Sequence, residues 1–231
     1  MELLALVESQ RTRTPVRVSS SRELTASLLN RLDALGIIRN DGAALINTTS
    51  VEGLAWSYSW TIPWRSLRSQ LIEFLTTQGR DPSFANGWLR IWRELFMGEA
   101  EACLRHQLQI SQLERVYFAS SASALMADVQ RYSLGQWRYA CWAAVRTMKN
   151  MAAQHPGNHE LLKLILETEL PYRLEMALKS RRIEFCFGSY DSLPDCALAK
   201  SFSHVATALG DKFWKEVPTL EHVGGKATLP T

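Results

Sequence analysis

Leucines at positions 24, 28, 32 and 35 recur every three to four residues, with Leu29 widening the stripe, so the pattern predicts an amphipathic helix over 22–35. Ser19, Ser20 and Ser21 offer N-cap oxygens for it, and Gly36 supplies its stop. Upstream, ELLALVES at 2–9 reads as a short helix. RTRTPVRVS reads as extended chain, because Pro15 and the alternation of Val16 and Val18 with Arg17 favour it. Downstream the period changes. Asn40, Asp41 and Gly42 make a turn, 43–49 reads as a strand, and Ser50, Val51, Glu52 and Gly53 form a tip. Then Trp56, Tyr58, Trp60, Ile62 and Trp64 alternate with Ser57, Ser59, Thr61 and Pro63, a period of two that predicts a strand whose aromatic face covers the helix leucines.

From Trp64 onward the periodicity is helical. Helices are expected over 65–78, 83–97, 98–118 with a break, and 121–131. A long one over 134–153 starts behind a capping box of Ser133 and Gln136, and another over 159–180 is expected to bend at Pro171. RIEFCF at 182–187 reads as a lone strand, and 195–215 as a last helix capped by Asp195. No fixed-period repeat is present, which argues against a solenoid.

The passage from LLNRLDALGII into an aromatic hairpin resembles the ending of a winged-helix module, a likeness that covers about residues 1–64. The expected fold class is therefore mainly α with a small β component. A winged-helix-like domain over 1–64 would precede a helical bundle domain over 65–220 and a flexible tail over 221–231. The resemblance implies double-stranded DNA as partner, with the last helix of the module in a groove and the wing against the backbone. It places Arg22, Thr25, Asn30 and Arg31 toward the duplex, Arg11, Arg13 and Arg17 on phosphates, and the wing at 48–52 near the backbone, with Arg39 also among the nucleic-acid-binding residues.

Composition bears on this through distribution rather than total. A net charge of +3 in 231 residues is too small to imply nucleic acid by itself, yet six arginines fall between positions 11 and 39 against only Glu23 and Asp33. Arginine forks suit phosphates and base edges, and they suit carboxylates at protein interfaces too. A 46% hydrophobic share can fill one large core or two modest ones, and a charged share of 21% does not indicate a disordered chain. No apolar run reaches the roughly 18–20 residues of a membrane span. The opening MELLALVESQ, with an early acid and no basic segment, does not read as a signal peptide. The expected setting is the bacterial cytoplasm, where Cys103, Cys141, Cys186 and Cys196, without a CxxC pair, would stay reduced.

Candidate chemistry is sparse. His155 and His159 are separated by Pro156 and Gly157 and cannot share a helical face as metal ligands, and Cys103 with His106 is half a site at most. No nucleophile or phosphate-loop motif occurs, Glu99 and Glu101 point to different helix faces, and Asp191 lies in a loop. No enzyme activity, cofactor or metal is expected. In the 134–153 helix, Arg138, Trp142, Arg146 and Lys149 form a basic face with an aromatic inset that could follow a phosphate backbone. Its other reading is a core tryptophan with arginines at the rim or paired with acids. Eight tryptophans, with Trp88 and Trp92 one turn apart, suit an interface with a protein partner or a second copy. The sequence thus suggests a DNA-binding regulator or accessory factor with a helical dimerisation or partner-binding domain. The alternative is a non-enzymatic interaction subunit of a multiprotein or nucleoprotein complex, such as a phage-defence assembly.

Overall fold

Ser21 opens the second helix of the computed structural model, its side-chain oxygen accepting from the Leu24 amide at 3.0 Å. At the other end Gly36 takes φ +68°, the Gly36 amide donates to the Asp33 carbonyl, and the Ile37 amide donates back to Leu32. That pairing satisfies carbonyls the helix would otherwise leave unmatched, and it needs a residue without a Cβ penalty. The structure describes residues 1–11, 17–39, 57–59, 63–113, 131–180, 186–188, 193 and 195–223. Within them the fold is mainly helical, with one small antiparallel pair of strands.

The elements, in order, are α1 (Glu2–Arg11), α2 (Arg22–Ala34), β1 (Ile38–Arg39), β2 (Ser57–Tyr58), α3 (Trp64–Thr77), α4 (Ala85–Ile110), α5 (Leu134–Gln154), α6 (His159–Ser180), α7 (Ala197–Lys200), α8 (Lys212–Lys215) and α9 (Leu220–Val223). Two short 3-10 turns link α3 to α4, and a π-helical stretch, Ser201–Ala206, continues α7. The 43–49 strand, the tip at 50–53, the 121–131 helix, most of the aromatic ribbon and the tail beyond 223 lie outside the described residues.

The chain forms two compact units. The first comprises Met1–Gly98, Asp195–Gly210 and Thr219–Thr231, and the second Glu99–Pro194 and Asp211–Pro218. The first unit runs past residue 64, to Gly98 inside α4. The physical reason is that α3 closes the N-terminal core: Leu75 packs with Leu4 and Ala206, and Leu71, Ile72 and Trp88 surround them. Residues 195–210 return to the same unit, where the Arg17 and Val18 carbonyls accept from the Ala197 and Leu198 amides at 2.8 and 2.9 Å. These are first-turn amides that a helix cannot satisfy internally. Phe202 lies against both Trp88 and Trp92, each at 6.2 Å between ring centres, and the Trp88 indole donates to the Gly79 carbonyl.

In the second unit α5 and α6 pack side by side along their lengths, joined by the loop at 155–158. Buried Leu162, Leu166, Leu170 and Leu174 line α6, and Ala177 at its end packs against Tyr139 and Ala143 of α5, its carbonyl accepting from the Gln136 side-chain amide. The Ser133 and Gln136 capping box is formed in both directions.

Several expected elements differ. The boundary expected between 97 and 98 is absent, because Gly98 sits inside a continuous α4 and lets the Ser20 hydroxyl within 2.6 Å of where a Cβ would stand. The single helix over 195–215 is interrupted, since Ala208 and Gly210 adopt φ +54° and +53°. Its cap is the Cys196 sulfur, which accepts from the Ala199 amide, and not Asp195. Cys186 and Phe187 are not in a strand, and the Phe187 amide donates instead to the Gly135 carbonyl at 2.9 Å.

Candidate nucleic-acid interface

The segment that carries the winged-helix resemblance begins with α2, whose buried face is Leu28, Leu29 and Leu32. Gly36 turns the chain directly into β1, where Ile38 is buried and pairs with Tyr58 while exposed Arg39 pairs with Ser57. A further bond from the Ser59 amide to the Ile37 carbonyl extends the ladder. Burial raises the Tyr58 phenol to about 12, so it stays neutral and keeps its proton at physiological pH. Ser27, Asn30 and Arg31 stand exposed on α2, with Arg39 exposed on the adjoining strand.

Not every expected contact residue is available. Thr25 is buried: its hydroxyl donates to the Ser21 carbonyl and meets the Ser19 hydroxyl at 2.7 Å, so it braces the helix entry and cannot reach a ligand. Arg31 is ion-paired with Glu2, at side-chain exposures of 44% and 24%. Such an exposed pair contributes only about 0–1 kcal/mol, so a phosphate could displace the carboxylate cheaply. Arg17 is half-buried in the segment that caps α7. Arg13, the side chains of Arg11 and Arg22, and the wing tip at 48–52 lie outside the described residues.

A cleft of about 470 Å³ opens beside Arg31. Leu32, Ile37, Leu71 and Ile91 make it apolar, and the Arg31–Glu2 and Arg90–Glu94 pairs edge it. Its arrangement holds apolar surface and does not bring a nucleophile to a base.

In the second unit the basic face expected along α5 divides. Arg138 is wholly buried, its guanidinium 3.6 Å from the Glu99 carboxylate, 3.7 Å above the Trp214 ring and donating to the Gly188 carbonyl. It is therefore withdrawn from the expected nucleic-acid contacts, because its charge is matched inside the core. Trp142 stays partly exposed at 38%, with the Arg146 guanidinium 5.4 Å from its ring centre. The sequence reading allowed the arginines of α5 to pair with acids but did not single out Glu99, although both members lie on apolar stripes. Arg138 continues the line of Leu134 and Cys141, and Glu99 that of Phe96 and Cys103.

Cys103, Cys141 and Cys196 are buried and Cys186 half-buried, all as free thiols. Burial first, and then a hydrogen bond with Cys103, push the Cys141 thiol well above its ordinary value, so it carries no thiolate character. Among the described residues no group of His, Cys, Asp and Glu could hold a metal ion, and no helix is long and apolar enough to cross a membrane.

No family model, curated protein or solved structure matches this chain. The residues and their geometry are what a functional reading rests on.

Proposed function

We propose that this chain is a double-stranded DNA-binding protein of winged-helix type, a regulator or accessory factor in which α2 and the adjoining hairpin meet the duplex. One observation carries the reading: α2 passes through Gly36 straight into an antiparallel ladder, leaving Ser27, Asn30, Arg31 and Arg39 on accessible surface. A helix followed at once by a hairpin is the arrangement that lets one element enter a groove while the other follows the backbone. Asn30 can address a base edge or a phosphate, and the two arginines supply the charge that makes binding sequence-tolerant and salt-sensitive.

The experiment is a duplex titration followed by fluorescence anisotropy with Arg39→Ala and Asn30→Ala. Arg39 is exposed and is not part of the core, so its loss is expected to leave the fold intact and weaken binding about fivefold to tenfold, from roughly 1–1.4 kcal/mol of phosphate contact. Unchanged affinity in both variants would contradict the proposal.

The rival reading, an interaction subunit of a larger complex, draws on a different observation. Leu164 and Tyr172, on α6, are 57% and 56% exposed, and Pro171 is exposed beside them. Large apolar side chains left on one helix face suit a protein partner or a second copy. In that case the isolated chain would not bind duplex at all.

A further inference from the structure

We propose that the groove beside α5 and α6 in the second unit binds a nucleotide unit, with a base against the Trp142 indole and a phosphate held by Arg146 and Arg173. Tyr139, Trp142, Arg146 and Asn150 recur every three to four residues on α5 and so line one side, and Arg173 enters from α6. The groove measures about 250 Å³, below the roughly 300–1,000 Å³ of pockets that enclose drug-sized ligands. That volume suits one base with its phosphate, not a dinucleotide cofactor.

The indole is fixed in place. Phe187 meets it edge-on at 5.7 Å and Tyr139 lies tilted at 6.3 Å, and these rings also hold one another at 5.6 Å. Tyr139 is buried, whereas Trp142 keeps more than a third of its surface open. A held, open indole is a stacking platform whose orientation does not have to be fixed when the ligand arrives.

Charge selects the sign of the ligand. Among the described residues Arg146 meets no carboxylate within ion-pairing distance and no hydrogen-bond acceptor. Arg173 directs its Nε and one Nη to Glu169 at 3.0 and 2.9 Å, which leaves the other Nη free to donate. Two guanidinium groups against one carboxylate favour an anion and disfavour the cations that aromatic clusters elsewhere can hold. The polar edges fit the remainder of a nucleotide. The Thr147 hydroxyl donates to the Ala143 carbonyl, so it can only accept from a ligand, and the Asn150 amide is without a hydrogen-bond partner among the described residues.

A free nucleotide and a residue of a single strand share this chemistry, so adenosine monophosphate and a short oligothymidylate are the two probes. Each is titrated by calorimetry into the full chain and into Trp142→Phe and Arg146→Ala, with inorganic phosphate as a third ligand. Binding should weaken about twofold to threefold in Trp142→Phe, because phenylalanine keeps only part of the stacking surface. It should weaken about tenfold in Arg146→Ala. Loss with adenosine monophosphate alone supports a free nucleotide, with the oligomer alone a strand, and with both a site open to either. No binding of either probe, binding indifferent to both variants, or inorganic phosphate binding as tightly as adenosine monophosphate would each overturn the proposal. Arg39→Ala is expected to leave this binding unchanged, which separates it from duplex binding through α2.

Discussion

Arg138→Ala should destabilise the second unit by about 3–5 kcal/mol, the range for breaking a buried pair by removing one partner. The side chains of Arg138 and Glu99 are both 0% exposed, so after the substitution the carboxylate would remain in the interior without its nearest positive charge. Trp214 would lose the guanidinium above its ring and Gly188 the donor to its carbonyl. A buried pair is weak evidence of net stabilisation when both charges are replaced together, because the desolvation of each ion offsets their attraction. The double variant Glu99→Met/Arg138→Met should therefore recover part of what Arg138→Ala loses. Urea unfolding followed by circular dichroism measures both, as a shift in midpoint at unchanged slope. A midpoint within error of the parent for Arg138→Ala would show that the pair is not held as described.

Gly135→Ala has the second-largest expected effect, about 3 kcal/mol of destabilisation, at the upper end for an extra methyl forced into a packed site. Helix propensity alone argues the other way, since alanine is favoured over glycine in a helix by roughly 0.8–1 kcal/mol. Contact reverses the sign: a Cβ at Gly135 would stand 2.4 Å from the Cys186 sulfur, 2.8 Å from the Phe187 carbonyl and 3.1 Å from that of Trp214. Two of these atoms are backbone and cannot rotate away, and Phe187 is tied to the same residue by its own amide. Gly87 is the internal control. It lies in α4 with nothing within 4 Å of its would-be Cβ, so Gly87→Ala should stabilise by about 0.5–1 kcal/mol. Opposite midpoint shifts for the two substitutions are the expected result, and shifts of the same sign would contradict the packing around Gly135.

Local signals are legible at both ends of α2 and at the start of α5, where neighbours in sequence decide the boundary. Ser21 and Gly36 bound α2 because one supplies an oxygen and the other a left-handed turn, and the Ser133 and Gln136 box opens α5 for the same kind of reason. Sequence failed where the deciding atom lies far along the chain. The helices expected over 83–97 and 98–118 are continuous at their junction, where Gly98 faces Ser20, a residue far away in sequence. Of the two readings of the α5 face, the one that pairs its arginines with acids fits Arg138, which falls on the apolar stripe of α5 while Glu99 falls on that of α4. Two opposite charges on two apolar stripes are a readable sign of a buried pair, because neither is tolerated inside alone. The division at residue 64 followed the end of the aromatic alternation, whereas the core is closed by Leu71 and Leu75 just beyond it.

The nucleotide groove and the α2 surface differ in what was visible. Arg146 and Trp142 are one turn apart and share a face in any helical reading. Arg173 comes from another helix, so a second guanidinium at the groove could not be read from spacing along α5.

Duplex affinity of the full chain as a function of salt tests the proposed function most directly. Arg31 and Arg39, both exposed, would give a log–log slope of at least about −1.8, from two phosphate contacts at roughly 0.9 each, falling to about half in Arg39→Ala. A flat dependence, or no binding at low salt, would contradict it.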